Sequence, residues 1–233
     1  MGVETTGGRV NDEGGPVPRR RAPWLWIALI VGVLAVAAAA ATWARVMGAR
    51  SALQGAVITP PAPTYDFSLP DQRHQTISLG GLRGKAVVLT FLYANCPDVC
   101  PLIAARLHTA YQKLGGDADR IALVAVTVDP QGDTPAAVQK FLAAHHAERE
   151  LHYLTGSVSQ LRPIWAHYYI GTDARGVNPA AAAANGDSPD AVSHTAVVYL
   201  IDPQGKLRVM LPGNVEVQDL LTDLKILAAE APK

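Results

Sequence analysis

The chain has 233 residues, a length that points to one globular domain plus an appendage. Lys+Arg and Asp+Glu each count 20, so the formal net charge is zero, and neither a nucleic-acid surface nor an acidic solvating tail is indicated. Apolar residues make up 49%, enough for a core, although alanine inflates that share near the N-terminus and in one late loop.

Residues 1–18 are rich in Gly and polar groups and read as a short disordered tail. From Trp24 to Ala44 there is no charged residue (WLWIALIVGVLAVAAAAATWA), a run of the roughly 20 residues an α-helix needs to cross a bilayer. Trp24 and Trp26 open it and Trp43 closes it, where indole rings favour the headgroup level. Arg9, Arg19, Arg20 and Arg21 lie on the near side against Arg45 and Arg50 on the far side. That bias predicts an N-terminus in the cytoplasm and a main domain outside. The alternative is a cleaved signal peptide, since the Ala run offers small-residue cleavage sites. The apolar stretch exceeds the roughly 7–15 residues of a signal core, and a polar extension precedes it. The expected division is a cytoplasmic tail over 1–23, a transmembrane anchor over 24–44, a linker over 45–63 and an outer domain over 64–233.

Residues 48–64 (GARSALQGAVITPPAPT) read as a small-residue, Pro-rich tether, stiffest around Pro60, Pro61 and Pro63. Elements then alternate. Short strands are predicted at Tyr65–Leu69 and Thr76–Leu79 around Pro70-Asp71-Gln72. Ala86–Tyr93 (AVVLTFLY) is a continuous apolar run, as expected of a strand buried on both faces. A helix is predicted from Cys96 to Leu114, with Ala104, Leu107, Tyr111 and Leu114 at helical spacing. Ile121–Val128 reads as a second buried strand. Asp133 or Thr134 suits an N-cap, Pro135 suits the first helical position, and that helix is expected to reach about His146. A strand at Tyr153–Leu154, a helix over Val158–Tyr169, a hairpin of Thr195–Ile201 with Lys206–Leu211, and a helix over Val215–Ala229 complete the chain. This order is α/β and thioredoxin-like, a central mixed sheet flanked by helices.

There are only two cysteines, four residues apart, too few and too close for a disulfide framework. In FLYANCPDVCPLIAARL, Cys96 follows a central strand and stands where a helix starts. Unpaired N–H groups and the helix dipole favour a thiolate there. The spacing brings Cys96 and Cys100 to one side of a helical turn, and two soft thiolates suit Cu(I) or another thiophilic ion. A redox pair, or a plain disulfide, uses the same two residues. Three residues separate the cysteines, one more than in thioredoxin-type redox enzymes, which leaves more room for an ion between the sulfurs.

Two thiolates seldom complete a metal site, so a third ligand is sought among seven histidines. His145 and His146 end a helix. His74, His108, His152 and His167 lie in contexts where an exposed or satisfied imidazole is the ordinary reading. His194 stands immediately before the strand TAVVYLID, at the end of a long irregular segment. The strand it precedes is expected beside the cysteine strand, where an imidazole could complete a Cys2His site or merely face solvent.

Three blocks, CPDVCP (96–101), VTVDPQGDTP (126–135) and SHTAVVYLIDPQG (193–205), together resemble the Sco/SenC family of copper-binding proteins, over roughly residues 64–228. The resemblance implies a thioredoxin-like copper-binding domain that holds Cu(I)/Cu(II) through Cys96, Cys100 and His194. It further implies a metallochaperone role in assembling the dinuclear copper centre of cytochrome c oxidase. The copper-bearing subunit of that oxidase, or another copper carrier, would be its partner. The anchor and outward domain look like those of bacterial members, in the inner membrane with the main domain periplasmic. The alternative is a membrane-anchored thiol–disulfide oxidoreductase that reduces cysteines of that centre or of a carrier, with Cys96 and Cys100 as the redox pair. A thiol peroxidase on the same fold commonly has a Thr three residues before its cysteine, and position 93 is Tyr. Residues 171–192, rich in Ala, Asn and Gly, have the length of a lid. Asp129 and Asp133 are expected to shape the turn and cap the helix rather than bind metal.

Overall fold

The computed structural model describes residues 23–50, 53–171 and 196–232, together with Gly2, and within 23–50 the side chains of residues 26–41. Two units are distinguished, Met1–Met47 and Gly48–Lys233. Helix α1 spans Pro23–Arg50, all but its last three residues in the first unit, and its described side chains, from Trp26 to Ala41, are exposed. Among the described residues no helix is long and apolar enough to cross a membrane. The expected tail over 1–23 lies almost wholly outside the described residues.

The second unit contains a six-stranded sheet in the order β1-β8-β7-β4-β5-β6 and a two-stranded sheet of β2 and β3. Its strands are β1 (Ala56–Pro63), β2 (Ser68–Pro70), β3 (Thr76–Ser78), β4 (Ala86–Leu92), β5 (Ile121–Thr127), β6 (Leu151–Leu154), β7 (Val197–Ile201) and β8 (Lys206–Pro212). Among the described residues its α-helices are α2 (Val99–Leu114), α3 (Pro135–Ala144), α4 (Val158–His167) and α5 (Val217–Ala229). Strands β4, β5 and β6 run parallel, and β7 lies antiparallel to β4, giving the mixed thioredoxin-like sheet.

Every residue of β4 and of β5 is buried, which is why both read as unbroken apolar runs instead of alternating ones. Helix α2 turns Cys100, Ile103, Ala104, Leu107, Ala110 and Leu114 inward, a 3.6-residue stripe that packs toward the sheet, and it lies against α5.

One expectation is corrected here. Residues 56–63, read as part of the linker 45–63, form strand β1, paired antiparallel with β8. Composition misleads because Pro60 and Pro61 fall inside a register shift between Val57 and Ala62, and β1 is the edge of the sheet. A proline that cannot donate to a ladder is tolerated in both places. The strand is approached through two fixed points. The Gln54 N–H donates to the Asp223 carboxylate on α5 at 2.7 Å. Gly55 lies so close to β8 that a Cβ built on it would sit 2.4 Å from Val209 Cγ1 and 2.8 Å from the Met210 carbonyl oxygen. Gly55→Ala is therefore expected to push β1 from the edge at an overpacking cost of about 1–3 kcal/mol, read as a lower Tm.

Smaller differences concern ends. Helix α2 starts at Val99, not Cys96, because Asp98 has φ −131 and ψ −89, outside the helical region. Thr134, not Asp133, caps α3: its hydroxyl accepts the Ala137 N–H, and Pro135 takes the first helical position as expected. Helix α3 stops at Ala144, with His145 at its C-cap.

Candidate metal and thiol site

Strand β4 ends at Leu92, and residues 93–98 turn the chain into α2 at the carboxyl end of the central strand. Cys96 lies in that turn and Cys100 in the first turn of the helix. The Cys96 N–H bonds back to the Tyr93 carbonyl at 3.3 Å, and the Cys100 N–H donates to Cys96 Sγ at 3.4 Å. The second contact places one sulfur over the open N-terminus of α2, where backbone donors favour negative charge. Asp98 provides no side-chain cap and the first turn carries no acidic residue, so nothing competes with the sulfur for that position. The two cysteines are not joined in a disulfide, and Cys100 is fully buried and Cys96 nearly so.

The two thiols differ in character. A hydrogen bond from the Cys100 side chain, aided by the Asp98 and Cys100 backbone and the Tyr93 side chain, brings the Cys96 thiol down to about 6 against the pull of burial. Donating to Cys96 drives the Cys100 thiol the other way, and burial and the negative charges of Cys96 and Asp133 add to the shift. Cys96 is thus the thiolate and Cys100 the proton-bearing partner near neutral pH. A pair this close can receive a soft cation once the second proton leaves, or form a disulfide.

Beneath the turn sits a carboxylate that sequence reasoning assigned to capping. Asp133 is 5% exposed and accepts three hydrogen bonds: the Ala94 N–H at 2.7 Å, the Tyr153 hydroxyl at 2.7 Å, and the Thr127 hydroxyl. Burial pushes its carboxyl up to about 6, opposed by those three donors. The available signal was two aspartates four apart in a turn that opens a helix; only one helix start was there to be capped. Asp129 does shape the turn, its carboxylate accepting the Gly132 N–H at 2.9 Å.

The third expected ligand, His194, lies outside the described residues, as does the expected lid after Gly171. The described residue nearest to it in sequence is Ala196. The Ala196 carbonyl accepts the Gly213 N–H at 3.0 Å. A Cβ built on Gly213 would lie 2.9 Å from Ala196 Cβ and 3.2 Å from Val99 Cγ2, so Ala196 and the first turn of α2 meet at one spot. Strand β7, which begins at the next residue, pairs with β4, and the Thr90 hydroxyl donates to the Val197 carbonyl at 2.9 Å. Several other histidines are engaged elsewhere: His108 with Glu150, His152 with Asp71, and His167 stacked on Tyr65. Among the described residues no group of three or more His, Cys, Asp or Glu is arranged to hold an ion.

Comparison with known proteins agrees with this layout. The SCO2-like protein of Rickettsia conorii is 30% identical over 142 residues, covering 60% of this chain and 65% of that protein. The mitochondrial SCO2 homolog of Mus musculus is 30% identical over 142 residues, covering 60% of this chain and 52% of its own length. The chain thus spans less than two thirds of either relative. The structure of Bradyrhizobium japonicum ScoI with copper bound is 26% identical and superposes with a TM-score of 0.60, covering 71% of this chain and 99% of that one. The SCO1/SenC family model matches residues 58–229, from the edge strand through the last helix, and so takes in both cysteines and the carboxylate beneath them. This chain belongs to the SCO1/SenC family.

Proposed function

We propose that the chain is a membrane-anchored copper metallochaperone that carries Cu(I)/Cu(II) on Cys96, Cys100 and His194 and serves assembly of the dinuclear copper centre of cytochrome c oxidase. The observation that carries this reading is the dithiol pair, its sulfurs gathered at the start of α2 at the carboxyl end of the central strand. Its donor set fits the cargo: two thiolates suit a soft cuprous ion, and an imidazole extends the set to the cupric one. The position of Ala196 against Val99 supports His194 as the third ligand, and the copper-bound Bradyrhizobium relative supports the metal. The partner's copper-binding thiolates would take the ion by ligand exchange.

In the same proposal α1 is the anchor, with its N-terminus cytoplasmic and the main domain outside the inner membrane. Support comes from the charge-free run 24–44, the arginines that precede it, and the exposure of Trp26, Ile27, Leu29, Ile30 and Leu34. Membrane fractionation of the full chain, with a protease added from the periplasmic side, tests it: the domain is digested and the tail protected.

A second reading, a thiol–disulfide reductase, is favoured by the split between the two thiols, since one thiolate beside one thiol is what disulfide exchange uses. His194 separates the two. Titrating the reduced chain with Cu(II), while watching for the sulfur-to-copper charge-transfer absorption, is expected to show one tight site. His194→Ala is expected to weaken Cu(II) more than Cu(I) and to leave reduction of a disulfide substrate intact. Parent-like binding of both oxidation states by H194A would remove His194 from the site.

A further inference from the structure

The cysteine turn is closed on itself by the Cys96 N–H to the Tyr93 carbonyl at 3.3 Å and by the Cys100 N–H to Cys96 Sγ at 3.4 Å, and α2 begins without a side-chain cap. It is also held from outside, by a second turn, residues 128–134, between β5 and α3. The Val128 N–H donates to the Leu92 carbonyl at 2.9 Å, the Asp133 carboxylate accepts the Ala94 N–H at 2.7 Å, and the Asn95 amide reaches the Gly132 carbonyl at 3.5 Å.

That second turn is itself tightly specified. The Asp133 N–H returns to the Asp129 carbonyl and the Thr134 N–H to the Gly132 carbonyl. A Cβ built on Gly132 would fall 2.0 Å from Asp129 Oδ2, so a side chain there would displace the carboxylate that accepts the Gly132 N–H. The far oxygen of Asp133 is fixed by Tyr153, fully buried on β6, and by Thr127 at the end of β5. Burying this carboxylate is costly, and the Ala94 amide is the contact through which the cost reaches the cysteine turn.

We propose that Asp133 is a positioning residue for the metal and thiol site: by holding the Ala94 amide it sets where Cys96 stands relative to Cys100. The inference rests on the cysteine pair being the working site, as proposed above. Partners that orient metal ligands typically cost roughly 10–100-fold in affinity when removed.

The test compares Asp133→Ser, too short to reach Ala94, with Asp133→Asn, whose side-chain carbonyl still can. Tyr153→Phe is the control, because it disturbs the same buried cluster and leaves the Ala94 bond in place. Two readouts are taken on the folded full chain. One is Cu(II) affinity together with the sulfur-to-copper absorption band. The other needs no copper: the equilibrium of the Cys96–Cys100 disulfide with glutathione, in which two glutathione thiols are oxidised to one disulfide as the protein disulfide is reduced to two thiols. D133S is expected to shift the band, lower Cu(II) affinity about 10–100-fold and displace the glutathione equilibrium. D133N and Y153F are expected to stay within a few-fold of the parent in both. If D133S does not fold, Gly132→Ala takes its place and is expected to move the same readouts by displacing the Asp129 carboxylate from the supporting turn. A folded D133S (or G132A) with parent band and parent equilibrium overturns the proposal, as does a Y153F that shifts both as far. Should the parent itself bind no copper, the copper reading fails alone, and the glutathione equilibrium still decides the role of Asp133.

Discussion

Cys96→Ser is expected to abolish the sulfur-to-copper absorption and to weaken copper binding by far more than the roughly 10–100-fold that an outer partner costs. The hydroxyl is a hard, neutral donor where a soft anionic one is required, and it is not ionised at any working pH. Cys100→Ser is expected to match it, since either change leaves one sulfur. The parent's pH profile follows from the same residue. The Cys96 thiol is lowered from 9.0 to about 6, so in the folded chain the thiolate is present at neutral pH and is progressively lost as pH falls through 6. The Cys100 proton must leave at neutral pH too, at about tenfold in affinity per pH unit, and below 6 the Cys96 proton makes the fall steeper. The same sign applies to stability: the contribution from a lowered thiol is present at high pH and disappears in acid. Thiolate ultraviolet absorbance of the reduced chain, followed against pH beside the copper titration, checks both. A midpoint near 9 would show that Cys96 is not the favoured thiolate.

The largest stability loss is expected from Phe91→Ala. Phe91 lies on the central strand, wholly buried, one residue before the strand ends and the cysteine turn begins. Its ring meets Tyr168 at 5.7 Å and Tyr199 edge-on at 6.2 Å, and the Tyr199 hydroxyl in turn donates to the Tyr168 carbonyl. Truncation removes the ring and leaves a cavity walled by two tyrosines and the sheet, which cannot collapse because β4 is held by neighbours on both sides. About 3–5 kcal/mol is expected to be lost, a large share of the roughly 5–15 kcal/mol that holds a domain together. Equilibrium denaturation by urea reads it as a lower midpoint with an unchanged slope. A loss below about 1 kcal/mol would mean that the aromatic cluster repacks, contrary to the rigidity drawn for it.

The placement of the cysteine pair was legible because it is local. CPDVCP carries its own spacing, and the run AVVLTFLY before it announces a buried strand ending at a helix start, so residue order alone places two sulfurs at a helix N-terminus. The alternation of strands and helices was legible for a like reason: full burial removes polar residues from β4 and β5, and amphipathic packing leaves a stripe on α2. The edge strand β1 was not. Its prolines and small residues follow from a register shift and from the close approach of β8 to Gly55, both of which depend on a partner about 150 residues away.

Asp133 makes the same distinction within the site. By itself, VDPQGDTP specifies a turn and a helix start, since the hydrogen bonds of a cap and of an Asx turn close within a few residues. Which of Asp133 and Thr134 does the capping, and where the Asp133 carboxylate goes, was settled only when β4, β5 and β6 came side by side. Their register brings Ala94, Thr127 and Tyr153 around one carboxylate. Short-range bonds are written in the order of residues; a buried charge finds its donors wherever the sheet happens to deliver them.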